Sequence, residues 1–314
     1  MATIIITGGT GLIGTALSKM LIERGHSVIV LTRKKRPSQA SLRYASWNVS
    51  KGEIDGQAIS EADYIIHLAG AGVVDEKWTA ARKQEIIDSR VKSGELIVSA
   101  LAANPNKIRA VIAASAIGWY GPDPVIPNPH PFTEESPHDN SFLGNTCYLW
   151  EKSLDPLLKT NIRLVKLRTG IVLSNDGGAL AEFKKPVRLG IAGILGSGRQ
   201  IISWIHIEDL CRQYLYAIDN DNISGVYNAV APHPVSNRDL TLTLAKRLKG
   251  NFYIPVNVPE FVLKLMMGDR SIEVLKSATV STDKLHAQGF TFIYPSIEAA
   301  INELVRKTAA GVKS

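Results

Sequence analysis

Cysteine is scarce: Cys147 and Cys211 are the only two in 314 residues. Two distant thiols make neither a metal-binding spacing nor a disulfide framework, so a reducing, cytoplasmic compartment and no bound metal are expected. Long apolar runs are missing too. No stretch reaches the roughly 18 residues needed to cross a bilayer. Met1–Thr7 enters a strand pattern at once rather than a basic-then-apolar leader. A soluble protein with no membrane partner is therefore expected. Acidic residues are outnumbered, 29 against 36 Lys and Arg, which leaves a formal charge of +7. A basic chain invites nucleic acid, but its basic residues are scattered. Neither a zinc spacing nor an aromatic-basic RNA signature is present, so no nucleic-acid partner is expected.

What is there is globular: 45% hydrophobic and 21% charged residues, in a chain long enough for one large domain and a smaller appendage. The most informative stretch is Thr3 to Gly14, T-I-I-I-T-G-G-T-G-L-I-G. A β-branched run suits a buried parallel strand. Gly8 allows a tight turn, Gly11 lets the backbone approach a pyrophosphate, and Gly14 lets the next helix, opened by Leu12 and Ile13, pack against the strand. The N-terminus of that helix offers free N–H groups and a positive dipole end to phosphates. The pattern points to a dinucleotide.

Alternation of short apolar strands with amphipathic helices continues through the first half, which argues for an α/β, Rossmann-type, doubly wound parallel sheet. Strands are expected at Thr3–Thr7, Ser27–Leu31, Leu42–Trp47, Tyr64–Leu68, Ala110–Ala114 and Arg163–Leu167. Helices are expected at Leu12–Glu23, Trp78–Ala103 and Leu143–Lys159. Five prolines between Gly121 and Pro137 rule out regular structure there. Past Arg168 the alternation becomes irregular, with helices expected over Ile207–Ile218, from Asn237, and near Glu260–Met267 and Ser296–Arg306. The expected division is a nucleotide-binding domain over residues 1–170 and a smaller C-terminal substrate lobe over 171–314.

The second expected strand runs out as Thr32-Arg33-Lys34-Lys35-Arg36. An NAD site usually carries an acid here for the ribose 2′-hydroxyl. A basic residue suits the 2′-phosphate instead, so NADP is the expected cofactor, with Thr32 and Arg33 at the contact. The fourth expected strand ends His67-Leu68-Ala69-Gly70. Its small residues leave room for a cofactor ribose, and His67 reads more simply as a packed histidine than as a catalyst. Ser115 follows the fifth strand, and Tyr148 and Lys152 stand four apart on a helix. An ammonium beside a phenol favours the phenolate, which lets a tyrosine exchange a proton with a substrate oxygen. Ser115, Tyr148 and Lys152 are therefore the catalytic candidates. Near the C-terminal lobe, Asp209 is a candidate helix cap, His206 reads as structural, and Arg199 could meet an anionic substrate group.

Several longer pieces carry a resemblance. They are T-G-G-T-G-L-I-G at Thr7–Gly14, H-L-A-G-A at His67–Ala71 and W-T-A-A-R-K-Q-E-I-I-D-S-R at Trp78–Arg90. Others are S-A-I-G-W-Y-G at Ser115–Gly121, W-E at Trp150–Glu151 and R-T-G-I-V-L at Arg168–Leu173. The last are G-S-G-R-Q-I-I-S-W-I-H-I-E-D-L at Gly196–Leu210 and G-F-T-F-I-Y-P at Gly289–Pro295. With these the chain resembles the extended short-chain dehydrogenase/reductase superfamily. More narrowly, it resembles an atypical epimerase-like family whose C-terminal part, here about residues 246–295, is a domain of unknown function. The resemblance implies NADP binding, with Glu85 and Arg90 reaching the cofactor and Gly170 and Ile171 passing beside the nicotinamide. It also implies that many members lack the catalytic tyrosine. Anchored on Trp150-Glu151, Cys147 and Glu151 take the family's tyrosine and lysine places. Tyr148 and Lys152 then fall one residue later, about 100° around the helix. Two functions stay open: an NADP(H)-dependent oxidoreductase or epimerase acting on a small carbonyl or sugar-like molecule, and a non-catalytic NADP-binding sensor or scaffold. Helix-paired homodimers are common in the resembled superfamily.

Overall fold

The apolar run at Thr3–Thr7 becomes a strand whose Ile4, Ile5 and Ile6 are all fully buried. Burial of consecutive residues means that both faces are covered, as helices on each side of a parallel sheet require. The computed structural model describes residues 1–34 and 36–311. In chain order its elements are β1 (Thr3–Thr7), α1 (Leu12–Glu23), β2 (Ser27–Thr32), β3 (Leu42–Asn48), β4 (Glu53–Ile54), α2 (Gly56–Glu61) and β5 (Tyr64–His67). Next come α3 (Ala80–Ala103), β6 (Ala110–Ala116), α4 (Phe142–Ser153), β7 (Arg163–Thr169), β8 (Ile171–Leu173), α5 (Ala179–Arg188) and β9 (Ile191–Leu195). They continue with β10 (Ile201–Ile202), β11 (Trp204–His206), α6 (Ile207–Asp219), β12 (Gly225–Ala229), β13 (Val235–Ser236), α7 (Asn237–Lys249) and β14 (Ile254–Val258). The last are α8 (Glu260–Met267), α9 (Ser271–Leu275), α10 (Asp283–Ala287) and α11 (Ile297–Gly311).

Eight strands form one sheet in the order β12-β7-β6-β5-β1-β2-β3-β4. The pairs β1–β2, β1–β5, β2–β3 and β5–β6 are parallel, and β4 closes the edge antiparallel to β3. The chain winds outward from β1 to β2 and β3, then returns to the other side of β1 as β5. Order therefore reverses at β1, and the carboxyl ends of β1 and β5 flank the crevice where such sheets take ligands. One face is filled by Ile5, Ile29, Ile65 and Val111 against Ile59 of α2 and Ile97 and Leu101 of α3.

The chain divides into two units. The first holds Met1–Trp119, His138–Arg168 and Cys211–Tyr227; the second holds Tyr120–Pro137, Thr169–Leu210 and the chain from Asn228 onward. The second has its own core, in which Trp204, Leu240, Leu244 and Ile301 are buried among residues of α5, α7 and α11. Its proline-rich segment is irregular, as its composition requires, and is pinned by Asp123. That carboxylate accepts hydrogen bonds from Ser277 Oγ (2.7 Å), Thr279 Oγ1 (2.8 Å) and the Thr279 N–H (2.9 Å). No helix among the described residues is long and apolar enough to cross a membrane.

Three elements differ from the sequence reading for local reasons. The helix expected over Leu143–Lys159 stops at Ser153, and a tighter 3-10 turn covers Asp155–Lys159. Pro156 lacks the N–H that would continue the helix. Helix α5 contains Pro186 and follows two glycines, which reads as turn chemistry in sequence. Asp209 does not cap α6: its carboxylate accepts the N–H groups of Ile293 (2.9 Å) and Tyr294 (2.8 Å). His206 supplies the cap, because its Nδ1 accepts the N–H of Glu208 at 3.1 Å. Arg199 is exposed and donates to the Ile126 carbonyl at 3.4 Å.

Candidate active site

The glycine turn is built so that side chains cannot enter it. Gly8 sits at φ 67°, and a Cβ there would stand 2.9 Å from the Leu68 carbonyl carbon. A Cβ on Gly14 would stand 2.5 Å from the Gly8 oxygen. β1, its turn, α1 and the exit of β5 thus meet backbone to backbone. Helix α1 begins at Leu12 with Gly11 as its N-cap, and no side chain caps it. Its first N–H groups are left for a ligand, with the dipole favouring an anion. This cradle suits a pyrophosphate.

The exit of β5 is fixed by a directed chain of hydrogen bonds. Thr7 Oγ1 accepts the N–H groups of Leu68 (3.1 Å) and Ala69 (3.2 Å), so its own proton goes to His67 Nδ1, 2.7 Å away. Nε2 then carries the ring proton and donates to Ser93 Oγ at 3.3 Å. Ser93 in turn donates to the Arg90 carbonyl at 3.0 Å. His67 is fully buried, and burial, helped by the Arg90 charge, lowers its pKa to about 3. It is a neutral spacer that ties β1, β5 and α3 together. The sign of its effect on stability follows. The unfolded histidine binds a proton near 6.5 and the folded one at about 3, so the unfolded state holds the extra proton between those values. Stability should fall as pH drops below about 6.5, by up to about 1.4 kcal/mol per unit. Urea midpoints measured down to about pH 5.5, above most of the carboxylate range, should show this slope. They should show a flatter one in His67→Gln; equal slopes would refute the assignment.

At the end of β2, Arg33 is exposed and Thr32 half-buried. Thr32 Oγ1 accepts the Lys34 N–H at 3.3 Å. The Arg36 guanidinium carbon lies over the Tyr44 ring, 5.9 Å from its centroid, and Lys35 lies outside the described residues. Leu68, Ala69 and Gly70 continue from β5 into the loop before α3. Exposed Glu85 accepts from the buried Arg82 of α3 at 2.7 Å. Arg90 donates to the Ala71 and Ile86 carbonyls (3.0 and 3.1 Å) and lies 4.9 Å over the Trp150 ring. It shapes the loop after β5 from beneath. Gly170 and Ile171 belong to the second unit. There the Gly170 N–H bonds to the Ala229 carbonyl at 3.0 Å, and a Cβ on Gly170 would meet the Ser203 oxygen at 2.5 Å.

Beyond β6, helix α4 presents two different faces. On one, Ser115 Oγ donates to Glu151 Oε1 at 2.7 Å, and Arg168 grips the same carboxylate twice, Nε to Oε1 at 2.8 Å and Nη2 to Oε2 at 3.1 Å. The central carbon of the Arg168 guanidinium lies over the Trp119 ring, 3.6 Å from its centroid. Cys147, one turn before Glu151, shares this buried face. On the other, Lys152 Nζ donates to the Tyr148 hydroxyl at 3.2 Å. The Tyr148 ring stacks on His138 at 4.5 Å and lies 6.3 Å from Trp119. His138 Nδ1 donates to the Asp139 carbonyl oxygen at 3.1 Å. Lys152 is exposed and Tyr148 half-buried, which leaves the phenol reachable from solvent.

The profile of the NAD dependent epimerase/dehydratase family matches residues 4–229. The chain belongs to that family. A domain of unknown function, DUF1731, matches residues 258–304. The epimerase family protein YfhF of Bacillus subtilis is 35% identical over 309 residues, covering 97% of this chain and 99% of that protein. The Staphylococcus haemolyticus epimerase family protein SH2119 shows the same identity and coverage. Among solved structures, the human epimerase family protein SDR39U1 with NADPH superposes with a TM-score of 0.86 at 29% identity, over 97% of this chain and 99% of that one. A nucleoside-diphosphate sugar epimerase from Corynebacterium glutamicum gives a TM-score of 0.76 at 32% identity, covering 96% of this chain but 58% of that one. UDP-sugar epimerases at under 25% identity share the fold.

Within this epimerase-family fold, the glycine turn, β2 exit and β5 exit are assembled around the switch point. Tyr148 and Lys152 are brought together, while Ser115 turns to Glu151 instead. The sequence reading missed the Arg168–Glu151 grip and the stacking of His138 on Tyr148. Its only hints were the R-T-G piece at Arg168 and a histidine three residues before Ser141, the side-chain cap of α4.

Proposed function

We propose that the chain is an NADP(H)-dependent oxidoreductase or epimerase acting on a small carbonyl or sugar-like substrate. The cofactor part rests on the cradle at Gly8–Gly14, on Arg33 standing where an NAD site would carry an acid, and on the NADPH bound by the human relative. Gly11, Leu12 and Ile13 would meet the pyrophosphate, Thr32 and Arg33 the 2′-phosphate, and Leu68, Ala69 and Gly70 the adjoining ribose. When bound, the cofactor supplies or accepts the hydride.

One observation carries the catalytic part: the Lys152 ammonium 3.2 Å from the Tyr148 hydroxyl. By donating to the phenol oxygen the ammonium orients the hydroxyl, so Tyr148 can hand a proton to a substrate oxygen and recover it. Tyr148→Phe should cut NADPH turnover on a carbonyl panel by about 100-fold or more and leave NADPH affinity unchanged. Equal turnover would remove Tyr148 from the mechanism.

A second reading has its own support. Ser115, which would share the substrate oxygen, donates to buried Glu151. A non-catalytic NADP-binding sensor or scaffold needs no free serine there. NADPH binding with no oxidation against any aldehyde, ketone or sugar of the panel would favour it.

A further inference from the structure

Backbone pairing within the second unit brings exposed apolar side chains together. Strands β9 and β14 run parallel, with Ile191 opposite Ile254 and Gly193 opposite Val256. Ala192 and Ile194 are both 0% exposed and face the core, so the residues alternating with them face outward. Ile191, Ile254 and Val256, 41–68% exposed, therefore share one outer surface. At its start the Ile254 N–H bonds to the Gly190 carbonyl at 2.8 Å. A Cβ on Gly190 would stand 3.7 Å from the Phe252 carbonyl oxygen. The turn carrying Leu189 thus lies beside the turn carrying Phe252. Leu189 is 80% and Phe252 87% exposed, values of projecting tips rather than of a pocket lining.

Positive charge gathers at the same end. Helix α5 ends at Arg188, next to Leu189, and α7 ends at Lys249. The Phe252 N–H bonds to the Lys249 carbonyl at 3.1 Å, and the Gly250 N–H to the Lys246 carbonyl at 2.9 Å. Arg188 and Lys246 are exposed and Lys249 is half-buried. No acid occurs in the sequence between Glu182 and Glu208, or between Asp239 and Glu260. Glu182 itself is met by Lys185 at 2.7 Å. Basic residues suit the negative ends of helix dipoles, which accounts for their place but not for the apolar tips beside them.

The backbone narrows the occupant. Strand β14 pairs with β9 in a sheet of two. Ile254 turns its N–H to β9, so Pro255 faces the open edge, where proline has no N–H to offer a further strand. A nucleic acid would meet the charges but leave Leu189 and Ile254 in water. We propose that this corner is a peripheral docking surface for an anionic lipid bilayer. Leu189, Phe252 and Ile254 enter the interfacial region while Arg188, Lys246 and Lys249 meet the headgroups. Such binding grows with the apolar area inserted and with attraction to anionic lipid. The attraction acts over a Debye length of about 8–10 Å, so the flexible basic side chains need no fixed partner. A surface contact of this kind needs no spanning helix.

Co-sedimentation of the full chain with phosphatidylcholine vesicles, with and without about 30% phosphatidylserine, tests this. The native chain should bind the mixed vesicles about tenfold or more tighter than phosphatidylcholine alone. The difference should shrink as salt rises from about 0.1 to 1 M. Leu189→Asp and Phe252→Asp, which alter only exposed tips, should each weaken binding about tenfold or more. Arg188→Gln combined with Lys249→Gln should do the same, with the circular dichroism of every variant unchanged. No binding to mixed vesicles, equal binding to both kinds, or binding that survives both aspartate variants would overturn the proposal. So would capture of a random-sequence DNA oligonucleotide by a chain that ignores vesicles.

Discussion

Arg33→Asp should weaken NADPH binding by about 100-fold and leave NADH binding nearly unchanged. The residue stands exposed at the end of β2, beside Thr32, with no acid in its neighbourhood of the sequence. A charge-assisted hydrogen bond to a phosphate contributes about 1.5–3 kcal/mol. An aspartate removes that contribution and repels the phosphate, so a loss near 3 kcal/mol, or about 100-fold, follows. NADH carries only a hydroxyl at the same place, which a carboxylate accepts. The ratio of the two dissociation constants, measured by calorimetry, is therefore the sensitive quantity. An unchanged ratio would show that the 2′-phosphate is held elsewhere.

Arg168→Met should destabilise the chain by about 3–5 kcal/mol. The side chains of Arg168 and Glu151 are 3% and 7% exposed, and the arginine is gripped from below by Trp119. Without it, the carboxylate stays buried with only the Ser115 hydroxyl, at 2.7 Å, to stabilise its charge. The cost is that of an uncompensated buried anion rather than of a lost attraction. Arg168→Met combined with Glu151→Leu should for that reason be less destabilised than Arg168→Met alone. Urea unfolding of the three chains decides it, and a single-variant loss below about 1 kcal/mol would mean that the site is wetter than its burial indicates.

Arg33 and the Arg168–Glu151 pair also differ in how they could be found. Arg33 is legible because its partners are local: a strand, its end and the charge that follows. The same holds for Gly8 to Gly14, where turn, close approach and helix start are consecutive. Strands β1, β2, β5 and β6 are legible because burial on both faces writes itself as unbroken apolar runs. Strand β4, with two residues, and helix α2, with six, are too short to leave a period. The end of α4 at Ser153 depends on Pro156, three residues beyond it.

His67 shows the other side. Its sequence context says only that it ends an apolar strand. Its tautomer and its place come from Thr7, sixty residues earlier, and Ser93, twenty-six later, which meet it only in the folded sheet. The two faces of α4 are decided in the same way. Sequence periodicity puts Tyr148 with Lys152 and Cys147 with Glu151. It cannot say which pair turns to β6 and β7, because that rotation is chosen by packing between distant elements. By itself the sequence determined the parallel sheet, the dinucleotide cradle and the basic residue beside it, since each depends on neighbours along the chain. Only the tertiary structure decided that Glu151 is locked to Ser115 and Arg168 while Tyr148 stays open to solvent. A buried ion pair needs partners from three elements at once, and nothing short of the folded core brings them together.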